Sequence, residues 1–222
     1  MEHPPHAAQY VIGPGAGLEP DMLDADPVTQ FTRWLAEAAA AGLPQPNAMV
    51  LATVSAAGQP RARTVLLKSH SPVGFVFYTN RTSRKGQDLA EQPKACLLFP
   101  WHAMHRQVII EGGVTALTTA DSEPYYRSRP HGSQLGAWAS RQSSVLASRA
   151  ELDDRFAELE RRWPPGERVP MPDFWGGYRV VPRTIEFWQG RPSRPHDRLR
   201  YRVKGDGEAV GDRGWVIERL SP

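Results

Sequence analysis

Asn47-Ala-Met-Val-Leu-Ala-Thr-Val54-Ser-Ala-Ala-Gly58-Gln-Pro-Arg61-Ala-Arg63-Thr-Val-Leu-Leu-Lys68 is the stretch on which the fold turns. Met49 to Val54 is apolar and partly β-branched, Ala57-Gly58 is a turn candidate, and Arg61 to Lys68 returns as a hairpin partner. Strand patterns continue on the C-terminal side at Gly74–Thr79, Lys94–Phe99, Gln107–Leu117, Tyr178–Val181, Thr184–Trp188, Leu199–Val203 and Trp215–Leu220. Gly205 to Gly214 reads as a polar hairpin loop. On the N-terminal side, Asp26-Pro27 has the chemistry of a helix start, with Asp as N-cap and Pro at the first helical position. Phe31, Trp34, Leu35 and Ala38 then recur at helical spacing, and Gly42 and Pro44 end the run.

Further helices are expected where Thr82 or Ser83 caps a segment reaching about Glu91, over Thr118 to about Arg127, and over Ser133–Ser140. In residues 150–163, Leu152, Phe156, Leu159 and Trp163 keep a 3.6-residue rhythm before Pro164-Pro165-Gly166 breaks it. Strands that do not alternate regularly with helices exclude a doubly wound sheet. They indicate a mainly β protein, a barrel with peripheral helices. Residues 1–25, rich in Pro and Gly and without periodicity, read as a mobile arm, and 26–222 as one domain.

The chain has 222 residues and a formal net charge of +3, a balance that suits an anionic small ligand but alone excludes no partner class. Its Lys and Arg are scattered rather than gathered into one run, which argues against a nucleic-acid footprint. The single cysteine, Cys96, rules out an internal disulfide framework and reads as a buried small hydrophobe. No apolar stretch approaches the ~18 residues of a membrane span. The N-terminus lacks the basic and apolar regions of a secretory signal, so a cytoplasmic location is the expectation.

Five segments carry chemistry. In Arg63-Thr64-Val65-Leu66-Leu67-Lys68, strict alternation places Arg63 and Lys68 on opposite faces, as separate anion contacts or as solvated strand ends. In Tyr78-Thr79-Asn-Arg-Thr-Ser83-Arg84-Lys85-Gly86 a strand runs into a helix start. That is either a phosphate cradle or a charged first turn exposed to water. Trp101-His102-Ala-Met-His105-Arg-Gln107 holds two histidines but no Cys or acidic cluster to complete a metal set, so it reads as a connecting turn. Gln107 is then available to a polar heterocycle edge. Tyr125 and Arg129 are four apart, on one helical face, and with Ser133 offer a phenol, a guanidinium and a hydroxyl to a phosphate, or simply end a helix. Trp188 and the Arg194/His196/Arg198 group form either a basic turn or a site in which like charge disfavours protonation of His196.

These segments, with Ser133-Gln-Leu-Gly-Ala-Trp138, Arg141-Gln-Ser-Ser144, Phe174-Trp-Gly-Gly177, Glu186-Phe-Trp-Gln-Gly190 and His196-Asp-Arg198, resemble the pyridoxamine 5'-phosphate oxidase family from Asp26 to the C-terminus. The resemblance implies an FMN-binding split β-barrel, a homodimer with a C-terminal dimerisation region and FMN at the subunit interface. It implies oxidation of pyridoxamine or pyridoxine 5'-phosphate to pyridoxal 5'-phosphate. Hydride passes from C4' to flavin N5, and O2 is reduced to hydrogen peroxide. Carried over by motif, FMN contacts Arg63, Thr64, Val65, Leu66, Leu67, Lys68, Tyr78, Thr79, Arg84, Lys85, Gln107, Gln142, Ser143, Trp188 and Arg198. The substrate contacts Lys68, Tyr125, Arg129, Ser133, Arg194 and His196, the last two as catalytic residues, with no metal. A flavin enzyme of the same fold acting on another substrate is the alternative. Three departures stand out: Ala7 precedes Tyr10 where the family often has Arg, His105 replaces a commonly acidic residue, and the loop Lys204 to Arg213 is long.

Overall fold

The structure, a computed structural model, describes residues 17–193, 195–205 and 214–222. The first helix, α1 (Pro27–Ala40), begins where its capping chemistry predicts. Asp26 accepts from the backbone N–H of Val28 at 3.2 Å and of Thr29 at 3.1 Å, and Pro27 sits in the first turn. The stripe Phe31, Trp34 and Ala38 is fully buried against the sheet, with Leu35 packed at its margin.

Then follow β1 (Ala48–Val54), β2 (Pro60–Leu66), a short β3 (Ser69–Ser71), β4 (Gly74–Asn80), α2 (Arg84–Glu91), β5 (Lys94–Trp101), β6 (Arg106–Ala116), α3 (Thr119–Ser128), α4 (His131–Ala139), α5 (Arg149–Arg162), β7 (Trp175–Gln189), β8 (Asp197–Val203) and β9 (Trp215–Arg219). All strand pairs are antiparallel, in one nine-stranded sheet ordered β2-β1-β5-β6-β7-β4-β3, with β8 on β7 and β9 on β8. The sheet curls around a core in which Phe31 meets Phe75 and Phe99 edge-on at 5.1 and 4.9 Å, and Trp34 meets Phe187 at 5.0 Å. No helix among the described residues is long and apolar enough to cross a membrane.

The segments Tyr178–Val181 and Thr184–Trp188 are one strand, not two. Pro182 suggests a break, but β7 continues through a bulge, where the register against β6 slips between Glu111 and Gly112. A Cβ on Gly112 would lie 1.9 Å from the Val181 carbonyl oxygen, so only glycine lets the strands approach there. The bulge lets one strand serve two neighbours, β4 along Trp175–Val180 and β8 along Thr184–Gln189. Cys96 is only half-buried, because alternation along β5 turns Ala95, Leu97 and Phe99 into the core and Cys96 to the other face. Burial pushes its thiol up to about 11, so it stays protonated and unreactive.

Residues 17–25 belong to the segment read as an arm, and they are tied to the C-terminal strands. Leu18 N donates to Asp197 Oδ2 at 3.0 Å, Arg219 donates to the Leu18 carbonyl, and the Tyr201 hydroxyl donates to the Asp24 carbonyl at 2.6 Å. The Ala7–Tyr10 departure and most of the 205–214 loop lie outside the described residues.

Candidate active site

Between β2, the start of α2 and the α3–α4 pair lies a cavity of about 1080 Å³. β2 is a terminal strand of the sheet order, and residues 61–66 line the cavity consecutively, so its backbone edge is presented to the interior. Leu67 is the exception within the Arg63–Lys68 segment. It is buried in the core at 3% exposure. At this point the chain changes partners: Leu67 N donates to Asn47 O, whereas Lys68 N donates to Val76 O. That exchange resets the alternation. Arg63 and Lys68 therefore share one cavity, contrary to the opposite-face expectation.

One end of the cavity is a cradle for an anion. Ser83 caps α2, and Gly86 is required in its first turn, since a Cβ there would sit 2.0 Å from the Arg81 carbonyl oxygen. Lys85, 8% exposed, points its Nζ at Gln142 Oε1 (2.7 Å), Thr79 Oγ1 (3.2 Å) and Ser83 Oγ (3.3 Å). Burial, and then the nearby Arg63 charge, push its pKa down to about 8. Ser143 accepts from Arg84 N at 3.2 Å and holds a left-handed backbone, φ 74°. Gln142 and Ser143 thus present oxygens to the donors that a phosphate would use. Burial also lowers the Arg63 pKa, opposed by Asp88.

The other end combines cations with aromatic rings. Tyr78 stacks on Tyr125 at 4.2 Å and on Trp175 at 5.4 Å. Lys68 Nζ lies 5.6 Å from the Tyr125 ring centre, and the Arg129 guanidinium lies 4.9 Å from that of Trp175. Arg129 is not on the helical face with Tyr125. α3 stops at Ser128, and Arg129 is its extended C-cap, which turns the side chain into the cavity beside Ser133. Arg129 Nη1 is buried with no hydrogen-bond partner among the described residues. A buried guanidinium N–H left in this state is a strong donor awaiting an acceptor. Trp175, Asn80 and Arg61 also line the cavity and were missed from sequence. For Arg61 a signal existed, because it alternates in phase with Arg63.

The remaining predicted residues form a second group. Gln107, Trp188 and Arg198 are register neighbours across β6, β7 and β8. Arg198 forks onto Glu186 at 2.8 and 2.9 Å, which raises its pKa. The His196 ring lies 4.8 Å from Trp188, and its Nδ1 accepts from Arg191 N at 3.0 Å. None of these four lines the cavity. Trp175 and Trp188 stand near opposite ends of β7, about 40 Å apart along the extended chain. Arg194 lies outside the described residues. No group of three or more His, Cys, Asp or Glu among the described residues could hold a metal ion.

Two family descriptions match the chain: "Pyridoxamine 5'-phosphate oxidase" over residues 35–162, and "Pyridoxine 5'-phosphate oxidase C-terminal dimerisation region" over 175–222. The pyridoxine/pyridoxamine 5'-phosphate oxidase of Acidothermus cellulolyticus is 55% identical over 98% of this chain and 96% of its own. That of Bordetella pertussis is 55% identical over 92% and 93%. Among solved structures, PhzG from Burkholderia lata, in complex with tetrahydrophenazine-1-carboxylic acid, is 32% identical. It superposes with a TM-score of 0.84, covering 93% of this chain and 98% of that one. An FMN-binding, pyridoxamine 5'-phosphate oxidase-related protein of Nostoc punctiforme shares the fold at 16% identity, TM-score 0.66, over 86% and 97% of the two chains.

Proposed function

The chain belongs to the pyridoxamine 5'-phosphate oxidase family, and from that premise we propose that its cavity binds FMN and a phosphorylated B6 vitamer together and oxidises the vitamer to pyridoxal 5'-phosphate. It is an FMN-dependent oxidoreductase whose C-terminal region serves a homodimer. One observation carries the reading: a single cavity with two cationic ends, joined by a strand edge and an aromatic wall.

The residues fit the cofactor. Arg63, Arg84, Lys85 and Thr79 suit its phosphate, and the β2 edge offers backbone donors and acceptors to a flat heterocycle. The opposite end suits the substrate phosphate. The orphaned Arg129 Nη1, Lys68, Tyr125 and Ser133 converge there, and stacking on Trp175 holds the Arg129 guanidinium in place. Fixing both phosphates presses two flat rings into one orientation, which is the larger part of what the protein contributes. When bound, the flavin would supply two-electron chemistry, as N5 acceptor for a hydride from the substrate's C4' carbon, with dioxygen as the final oxidant, reduced to hydrogen peroxide. His196, whose Nδ1 accepts from Arg191 N and whose ring lies against Trp188, is assigned to the substrate's C4' substituent.

Trp188, with its register neighbours Gln107 and Arg198 and with His196 against its ring, stands near the end of β7 opposite Trp175 and outside the lining of this chain's own cavity. In the homodimer, Trp188 of the partner subunit and His196 of the partner subunit complete it. The test is aerobic pyridoxal 5'-phosphate formation by FMN-reconstituted protein from pyridoxine or pyridoxamine 5'-phosphate. No product from either, with flavin bound, defeats the substrate assignment. The likeness to PhzG supports a second reading, oxidation of a non-phosphorylated polycyclic acid by the same flavin site. Arg129 and Lys68 distinguish the two, since only a phosphorylated substrate needs both.

A further inference from the structure

Asp88 lies on the inner side of α2 at 1% exposure. A carboxylate so buried is tolerated only when it is paired and hydrogen-bonded. Its partners are specific. Oδ1 pairs with Arg61 Nη1, while Oδ2 accepts from Thr53 Oγ1 at 2.7 Å and stands 3.8 Å from Arg63 Nη2. Thr53 Oγ1 accepts in turn from Arg63 Nη1 at 2.7 Å, and that same nitrogen reaches the Leu51 carbonyl at 3.1 Å. The hydroxyl thus relays between carboxylate and guanidinium, donating to Asp88 and accepting from Arg63. Arg61 and Arg63 both line the cavity, at the end where Lys85 feels the Arg63 charge.

We propose that Asp88 is a positioning residue for the cofactor-phosphate end: directly, and through Thr53, it sets the guanidinium groups of Arg61 and Arg63, and Arg61 is a further ligand of that phosphate. Without an anion, Arg61, Arg63, Arg84 and Lys85 repel one another. One buried carboxylate behind them keeps the group assembled while leaving donor edges toward the cavity. Simple electrostatics makes the opposite prediction, since removing a negative charge beside a bound dianion should tighten binding. The two arguments are therefore separable by sign.

The inference rests on the FMN reading above, and the test separates the two. FMN and riboflavin, which lacks the phosphate, are titrated into flavin-free protein by fluorescence quenching. The proteins compared are wild type, Asp88→Asn, Asp88→Glu and Arg61→Gln. Asp88→Asn and Arg61→Gln should each weaken FMN about tenfold, the scale of a lost charge-assisted hydrogen bond, and leave riboflavin within about twofold. Asp88→Glu should regain part of the loss. Thr53→Val breaks the relay without altering charge and should act in the same direction, which covers the case of an Asp88 variant that does not fold. FMN binding to Asp88→Asn that equals or exceeds wild type overturns the inference, as does an equal loss of riboflavin. Wild-type protein that does not take up FMN overturns the flavin reading and this inference with it.

Discussion

Lys85 offers the sharpest quantitative test of the phosphate cradle. Its amine is buried, and its pKa lies at about 8 in the flavin-free protein because burial and the Arg63 charge both disfavour the ammonium. A phosphate placed on it favours the ammonium, so binding requires protonation. The fraction competent to bind then falls through pH 8, and the FMN dissociation constant should be about tenfold weaker at pH 9 than at pH 7, about 1.4 kcal/mol. Lys85→Met should remove this pH dependence and weaken FMN at pH 7 by about 1.5–3 kcal/mol, the range for a hydrogen bond to a charged group. The stability of the flavin-free protein follows with opposite sign. Between pH 8 and 10.5 the unfolded chain holds more protons at this residue, so stability rises with pH across that window, by at most about 3 kcal/mol. The assay is a fluorescence titration of FMN at pH values from 7 to 9. A dissociation constant that stays flat over this range in wild type, or the same slope in wild type and Lys85→Met, refutes the reasoning.

Three further outcomes are expected. Arg129→Ala should raise the KM for pyridoxine 5'-phosphate about 10- to 100-fold, as loss of a charge-assisted bond implies, with flavin occupancy unchanged; steady-state kinetics on flavin-saturated enzyme checks this. A Lys85→Met chain mixed with a Trp188→Ala chain should recover activity that neither homodimer shows, because one of the two shared sites is then intact. No recovery in mixed dimers would place the whole site within one chain. Phe31→Ala removes a ring packed on Phe75 and Phe99 and should cost about 3–5 kcal/mol in denaturant unfolding.

Local chemistry was the most legible part of the fold. Asp26-Pro27 and Ser83 are capping signals that need no tertiary context, and α1 and α2 begin where those residues place them. β7 was misread because Pro182 looks like a break, whereas the glycine opposite it admits a bulge, and bulges depend on a partner strand. Arg63 and Lys68 were separated by a rule for regular strands, which cannot anticipate the change of partner at Leu67. Arg129 was placed on a helix that stops one residue earlier. The separation of Gln107, Trp188 and Arg198 from the cavity group was illegible, since motif order along the chain carries no record of where each segment sits in the sheet. Asp88 was missed because its partners come from β1 and β2, 35 and 27 residues away in sequence.

The central claim, a flavin and a phosphorylated vitamer held in one cavity, is tested most directly by the visible absorbance of bound FMN under anaerobic mixing. Pyridoxine 5'-phosphate should bleach the flavin, admission of oxygen should restore it, and pyridoxine without its phosphate should do neither at the same concentration. Flavin that stays oxidised with the phosphorylated substrate, or bleaches equally with both, would contradict the account.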